Sequence, residues 1–88
     1  MAIAFDPAKD AANIEKHGVS LARAGEMTIV AALIDDRADY GEVRYRAYGH
    51  IDGVAHCLVF TVRDGEGRAI SLRRAHSKEV RRYVPSFD

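Results

Sequence analysis

The spacing of apolar residues near the start of the chain predicts two helices. Asp6 and Pro7 are typical of a helix start, because Asp accepts from free backbone N–H groups and Pro lacks the donor that would stay unpaired. Ala8, Ala11, Ala12 and Ile14 share one side at helical spacing, and Gly18 is a typical C-terminal stop. Ser20 predicts the cap of a second helix, and residues 3–5 allow a short strand before the first.

The middle of the chain has the patterns of β-strands. Residues 29–34 are apolar enough for a strand, which leaves the end of the second helix open, and residues 42–51 alternate between two faces. Asp52-Gly53 predicts a tight hairpin turn before the apolar run 54–62, which is typical of a central strand. A second turn at 64–67 precedes a strand at 68–74.

The chain closes with a predicted helix over residues 76–84, capped by Ser77 and ended by Pro85. We therefore predict an α+β fold: two N-terminal helices, an antiparallel three- to four-stranded sheet and a C-terminal helix, with the helices on one face of the sheet. The length of 88 residues predicts one domain, 1–88.

Composition narrows the class of protein. Hydrophobic residues make up 48% and charged residues 30%, which is typical of a globular domain and not of a disordered chain. No apolar run approaches the roughly 20 residues of a membrane span, and the first residues lack the pattern of a signal peptide. Cys57 is the single cysteine, so no internal disulfide can form and a reducing cytoplasm is expected.

The charges are unevenly distributed, although 13 basic residues balance 13 acidic ones. Residues 1–62 hold six basic and nine acidic residues, whereas residues 63–88 hold seven basic residues, six of them Arg, and four acidic ones. Arg binds phosphate through a planar fork of donors. The basic end is therefore either a nucleic-acid or acidic-protein surface, or a solvated face.

Metal and nucleotide chemistry are disfavoured. His56 and Cys57 are neighbours on a predicted strand and so point to opposite faces, which also weakens a thiol nucleophile. The chain contains neither a C-x-x-C nor an H-E-x-x-H motif, and its glycines form no phosphate-binding loop. We expect no metal and no cofactor.

The remaining polar residues contain the groups that metal-free RNA cleavage needs. That reaction requires a base for the 2′-OH, an acid for the departing 5′-oxygen and cations for the phosphate charge. His17, Lys16, Glu79 and the arginines supply these types, although their spacing does not show that they converge. The alternative interpretation of His17 is that a His at a helix end has only a structural role. Lys9, Asn13 and His17 follow one helical edge at i, i+4 spacing, a polar stripe that favours function.

Two terminal motifs carry a family resemblance. The first motif is Phe5-Asp6-Pro7-Ala8-Lys9, followed by Asn13 and by Lys16-His17-Gly18-Val19-Ser20. The second motif is Thr61-Val62-Arg63-Asp64, followed by Arg68-Ala69-Ile70-Ser71-Leu72-Arg73-Arg74-Ala75 and then by Glu79, Arg81, Arg82 and Tyr83. Between the two motifs lie three further matching residues, Glu42, Arg44 and Gly49. In these positions the chain resembles the BrnT family of toxins. The resemblance implies a ribonuclease toxin of a type II toxin–antitoxin pair, with a compact RelE-like fold, that cuts messenger RNA and arrests translation.

The same resemblance implies partners and a site. The partners would be an RNA substrate and a BrnA-like antitoxin with a ribbon-helix-helix region, which alone would contact operator DNA; no membrane is involved. The carried-over residues are the catalytic candidates His17, Arg63, Arg73 and Glu79 and the RNA- or phosphate-binding candidates Lys9, Lys16, Arg74 and Tyr83. His17 would transfer protons, Arg63 and Arg73 would hold the scissile phosphate, and Glu79 would be a base or would orient an Arg. Tyr83 would stack on a base or pack the last helix.

The chain departs from the family pattern at three positions. Val62 stands where an acidic residue is frequent, Leu72 where a small residue is usual, and Leu21 where an aromatic is usual. An alternative is therefore a catalytically weakened homologue that binds the antitoxin and acts as a co-repressor. A free-standing nucleic-acid-binding domain is a third hypothesis, and it predicts a steep loss of affinity with added salt.

Overall fold

The fold is an α+β meander, as the computed structural model shows for residues 3–84. Four antiparallel strands lie in the sheet in sequence order, with an α-helix at each end of the chain. The elements are α1 (Pro7–His17), a 3₁₀ helix (Leu21–Glu26), β1 (Thr28–Ile34), β2 (Tyr45–Ile51), β3 (Val54–Arg63), β4 (Glu66–Arg74) and α2 (Ser77–Tyr83). The predicted α+β class and antiparallel sheet are confirmed, with four strands.

The N-terminal segment begins as predicted and then differs. The Asp6 carboxylate accepts from the Ala8 N–H at 2.8 Å, and Gly18 ends α1 with a φ of 74°. The segment after Ser20 is a 3₁₀ helix and not a second α-helix. It is short because Met27 already leads into β1, which takes the apolar run that sequence left open between helix and strand.

Two tight turns fix the hairpins. Asp52 and Gly53 have φ values of 50° and 74°, and Asp64 and Gly65 have 52° and 77°, as type I′ turns require. The second turn is shorter than predicted, since β4 already begins at Glu66, and β2 begins later than predicted, at Tyr45. The expected strand at 3–5 is reduced to a single parallel bridge between Ala4 and Arg68.

The helices cover both faces of the sheet, which corrects the expectation of one covered face. On one face Ala47 and Leu58 pack with Leu21 and Ala24 of the 3₁₀ helix. On the other face their neighbours Tyr48 and Cys57 pack with residues of α2 and the buried Val84. Because neighbouring strand residues point to opposite faces, the 3₁₀ helix and α2 lie on opposite sides of the sheet, whereas α1 is bonded to the edge strand β4 through Asn13.

The start of α2 is also corrected. His76, not Ser77, occupies the N-cap position, and the Glu79 carboxylate accepts from the His76 backbone N–H at 2.8 Å. Pro85, the predicted end of this helix, lies outside the described residues. Within residues 3–84 no helix has the length and apolar character to cross a membrane.

Candidate active site

An ion pair between Arg73 and Glu79 joins β4 to α2. The Arg73 Nη1 lies 2.7 Å from Glu79 Oε1, and its Nη2 lies 3.0 Å from Oε2, a two-point contact. The Arg73 guanidinium is the main reason that the pKa of Glu79 falls to about 2. Glu79 therefore binds Arg73 as a carboxylate.

Tyr48 on β2 also binds Glu79 and was not among the predicted site residues. Its hydroxyl donates to Glu79 Oε2 at 2.7 Å and accepts from Arg46 Nη1 at 3.1 Å. The ring is fully buried and stacks on Tyr83 with centroids 4.6 Å apart. Burial, helped by the bond to Glu79, raises the pKa of Tyr48. Tyr83 thus packs α2 on the sheet, one of the two roles expected for it.

The sequence held a signal for Tyr48. Residues 44, 46 and 48 fall on one face of an alternating strand, and a polar face beside an apolar one is unusual in a strand buried on both sides. The signal did not indicate which helix would meet that face, because the position of α2 is set by contacts between distant parts of the chain.

The C-terminal end of α1 meets the C-terminal end of β4, and this junction brings four of the predicted residues together. Lys16, His17, Arg73 and Arg74 line a depression of about 500 Å³, together with Ala75 and His76. Burial lowers the pKa of His17, and the charges of Lys16 and Arg73 lower it further. The neutral imidazole, which can accept a proton, is therefore favoured near neutral pH.

A second cavity of about 520 Å³ shares His17 and Arg74 with this depression and is also lined by His56. His56 is itself buried, and its Nδ1 donates to the Val54 carbonyl at 2.8 Å. The alternation of strand residues correctly separated His56 from Cys57. It gave no means of placing His56 beside the end of α1, because that contact joins distant parts of the chain.

Arg63 lies apart from these residues. It pairs with Glu66 at the turn end of the β3–β4 hairpin, whereas Arg73 pairs with Cys57 at the far end. At about 3.3 Å per residue these positions are roughly 20 Å apart along β3, so Arg63 and Arg73 do not hold one phosphate. The Arg63 guanidinium instead contacts Glu42 at 2.8 Å.

Lys9 lies between these two regions. It lines a small depression of about 80 Å³ with Arg63 and Arg68, and a neighbouring one of about 260 Å³ with Lys16 and His17. Lys9, Lys16 and Arg74 form no ion pair with the described part of the chain. These three cations are therefore available for an anionic ligand.

The three departures from the family pattern lie away from this junction or in the core. Leu21 and Leu72 are fully buried in the apolar cluster between the 3₁₀ helix and the sheet, where a large aliphatic side chain fills the core. Val62 is half-exposed near the turn end of β3 and pairs with Gly67. In the described residues, no group of three or more His, Cys, Asp and Glu side chains is placed to hold a metal ion.

Comparison with known proteins gives one finding. The family model described as "Ribonuclease toxin, BrnT, of type II toxin-antitoxin system" matches residues 5–79, which include the first terminal motif, the second as far as Glu79, and the junction of α1 with β4. No curated protein and no solved structure matches the chain.

Proposed function

Since the chain belongs to the BrnT family of type II ribonuclease toxins, we propose that it is a metal-independent endoribonuclease that cleaves messenger RNA and arrests translation. The observation that carries this proposal is the junction of α1 with β4. There a histidine with a lowered pKa, His17, shares one depression with Lys16, Arg73 and Arg74. A proton acceptor beside several cations is what cleavage at a phosphodiester requires.

In the proposed reaction the RNA supplies its own nucleophile. The neutral His17 accepts the 2′-OH proton, and the 2′-oxygen attacks the adjacent phosphorus. Lys16 and Arg74 bind the phosphate and stabilise the charge that develops on its oxygens. The products are a 2′,3′-cyclic phosphate and a free 5′-OH. His17 activates the 2′-OH as a base, and the fixed cations stabilise the charge on the phosphate oxygens, so the proposed reaction needs no bound metal.

Arg73 and Glu79 position this site in the proposal. Glu79 holds the Arg73 guanidinium at two points, and Tyr48 and the His76 backbone N–H hold Glu79 in turn. The Arg73 charge thereby stays close to His17 and contributes to its lowered pKa. Lys9 and, farther from the scissile bond, Arg63 bind other phosphates of the RNA.

The family implies an antitoxin partner. We propose that it is a BrnA-like protein whose ribbon-helix-helix region binds operator DNA, so that the toxin reaches DNA only through it. The substrate places the activity in the cytoplasm. The enzyme would stay neutralised for as long as the antitoxin is present.

The test is cleavage of an RNA oligonucleotide by the purified protein in the presence of EDTA. We expect a 2′,3′-cyclic phosphate and a 5′-OH at the cut, and a loss of about 10²- to 10⁴-fold in rate for His17→Ala, the typical contribution of a general base. His50→Ala is the matched control, because His50 lies on β2 outside this depression. Cleavage at an undiminished rate by His17→Ala would exclude the proposed site.

A further inference from the structure

Cleavage by the proposed route needs a second proton-transfer group. The departing 5′-oxygen must gain a proton, and His17 is occupied with the proton of the 2′-OH. Glu79 is not suited to this task, because it binds Arg73 at two points and Tyr48 at one of the same oxygens. The other histidines of the chain are His50, His56 and His76, and histidine is the side chain most often used for proton transfer.

His56 lies at the cavity that His17 and Arg74 also line. In the β3–β4 ladder it stands directly opposite Arg74, so the two side chains share one face of the sheet. That face is the one covered by the 3₁₀ helix, which follows shortly after His17, the last residue of α1. The cavity is thus bounded by two histidines with an arginine that forms no ion pair among the described residues.

The His56 ring is held in one orientation. It is 6% exposed, and its Nδ1 donates to the Val54 carbonyl at 2.8 Å. A carbonyl oxygen only accepts, so Nδ1 carries a hydrogen and Nε2 is the nitrogen left for chemistry. A fixed ring with one nitrogen committed to the backbone is the arrangement that positions a catalytic imidazole.

The other two histidines lack this arrangement. His50 lies on the same strand face as Tyr48, away from the cavity of His17. His76 lines the neighbouring depression, but it is exposed at the cap of α2.

We propose that His56 is the general acid of the cleavage reaction, a proposal that rests on the proposed ribonuclease function. The 2′-oxygen forms a bond to phosphorus and gives its proton to His17. The bond from phosphorus to the 5′-oxygen breaks, and that oxygen takes the proton that Nε2 carries when His56 is in its imidazolium form, which leaves the neutral ring with its hydrogen on Nδ1. Arg74, which lines the same cavity as the two histidines, holds the phosphate. One proton is accepted and one is donated, so the step is balanced.

The experiment uses an oligonucleotide in which sulfur replaces the bridging 5′-oxygen at the cleaved bond. A thiolate leaves without being protonated, so a missing general acid is tolerated with this substrate and a missing base is not. The variant is His56→Asn, because an Asn amide can still donate to the Val54 carbonyl while Nε2 is removed. On the oxygen substrate we expect a loss of about 10²- to 10⁴-fold.

On the sulfur substrate we expect His56→Asn to recover most of the wild-type rate, and His17→Asn to stay impaired. Recovery also shows that the variant is folded. His50→Asn should cleave both substrates at the wild-type rate. The proposal is overturned if His56→Asn is equally impaired on both substrates, or if it cleaves the oxygen substrate normally.

Two further outcomes distinguish failure of this inference from failure of the proposed function. Selective recovery by His76→Asn instead of His56→Asn would assign the acid to His76 and overturn this inference while leaving the ribonuclease function intact. If the unmodified protein cleaves neither substrate, the proposed function itself fails, and the role of His56 fails with it.

Discussion

Asn13 forms hydrogen bonds to the edge strand β4 in the way that a neighbouring strand would. Its Nδ2 donates to the Leu72 carbonyl at 2.8 Å, and its Oδ1 accepts from the Leu72 N–H at 3.1 Å. The same Nδ2 donates to the Val19 carbonyl at 2.8 Å. The polar stripe of Lys9, Asn13 and His17 is therefore mixed: Asn13 is buried and ties α1 to β4, whereas Lys9 is exposed.

Replacing Asn13 should lower the free energy of unfolding substantially. Asn13→Ala leaves the Leu72 backbone groups and the Val19 carbonyl without this partner, and each such loss costs about 1–3 kcal/mol of unfolding free energy. For these three groups together we expect a loss of at least about 3 kcal/mol in urea unfolding. Ala12→Gly on the exposed side of α1 is the comparison, with an expected loss of at most about 1 kcal/mol. Equal losses for the two variants would contradict the role assigned to Asn13.

Asp35 makes stability depend on pH. Its carboxylate is 1% exposed and accepts from Arg37 Nε at 2.7 Å and Nη2 at 2.9 Å. The bond from Arg37 is the largest cause of its lowered pKa, about 2 against an ordinary 3.8. The folded state thus holds its proton less tightly than the unfolded chain, so the stabilisation is complete above about pH 4 and is lost as the pH falls towards 2.

We expect Asp35→Asn to lower the free energy of unfolding at pH 7 and to reduce the further loss between pH 4 and pH 2. Part of the loss should remain, because the pKa of Glu79 is also lowered to about 2. The measurement is the urea midpoint at several pH values. The exposed Asp36→Asn serves as the control and should follow the wild-type curve. An unchanged slope in Asp35→Asn would show that this carboxylate does not carry the dependence.

At the scale of elements, β1 depends on a glycine in β2. Gly49 is buried opposite Ile29, next to the register shift between Ile29 and Ala31. A Cβ at position 49 would lie 2.0 Å from the Thr28 carbonyl oxygen and 2.9 Å from the Ile29 Cα. These are backbone atoms of the partner strand, so no side-chain rotation relieves the clash, and β1 can pair here only with a glycine.

Gly49→Ala should therefore separate β1 from the sheet or destabilise the whole domain. We expect a loss at or above the upper end of the roughly 1–3 kcal/mol that overpacking costs. Gly67→Ala is the matched control, because its Cβ would meet only the Ile3 side chain at 3.7 Å, an ordinary contact. The readouts are the urea midpoint and amide exchange in β1. A Gly49→Ala variant as stable as Gly67→Ala would contradict this account.

The elements that sequence predicted well are those with local causes. Asp6, Pro7 and Gly18 bound α1 by capping, and the Asp-Gly pairs set both hairpin turns. The face covered by α2 has no local cause, because it depends on the contact of Glu79 with Arg73 and Tyr48. For the same reason the spacing of Arg63 and Arg73 in the chain did not show that the hairpin separates them.

At the scale of the whole molecule, the balanced charge conceals a basic groove between α1 and the edge strand β4. The four depressions along it are joined by residues that they share: Lys9 joins the first two, His17 the next two, and Arg74 with His17 the last two. We define the basic groove by Arg63, Arg68, Lys9, Lys16, His17 and Arg74. From Arg68 to Arg74 it follows about 20 Å of β4, at roughly 3.3 Å per residue.

We expect the RNA of the proposed reaction to lie along this groove, so that several phosphates contact it at once. A 2′-O-methyl oligonucleotide binds without being cleaved, because it has no free 2′-OH. Its affinity should fall with salt, with a slope of about −0.7 in log K against log [salt] for each phosphate contact. Lys9→Gln and Arg68→Gln should each make that slope shallower by about 0.7.

Lys78→Gln is the matched control, because this substitution removes the same charge from a residue that is exposed on α2, on the other side of the sheet. If Lys78→Gln changes the slope as much as Lys9→Gln does, the RNA is held by net charge and not by the groove. A groove of this length also predicts a dependence on oligonucleotide length. Lys9→Gln and Arg68→Gln should weaken binding of a long oligonucleotide but leave a dinucleotide, which reaches only the junction of His17 and Arg74, almost unaffected.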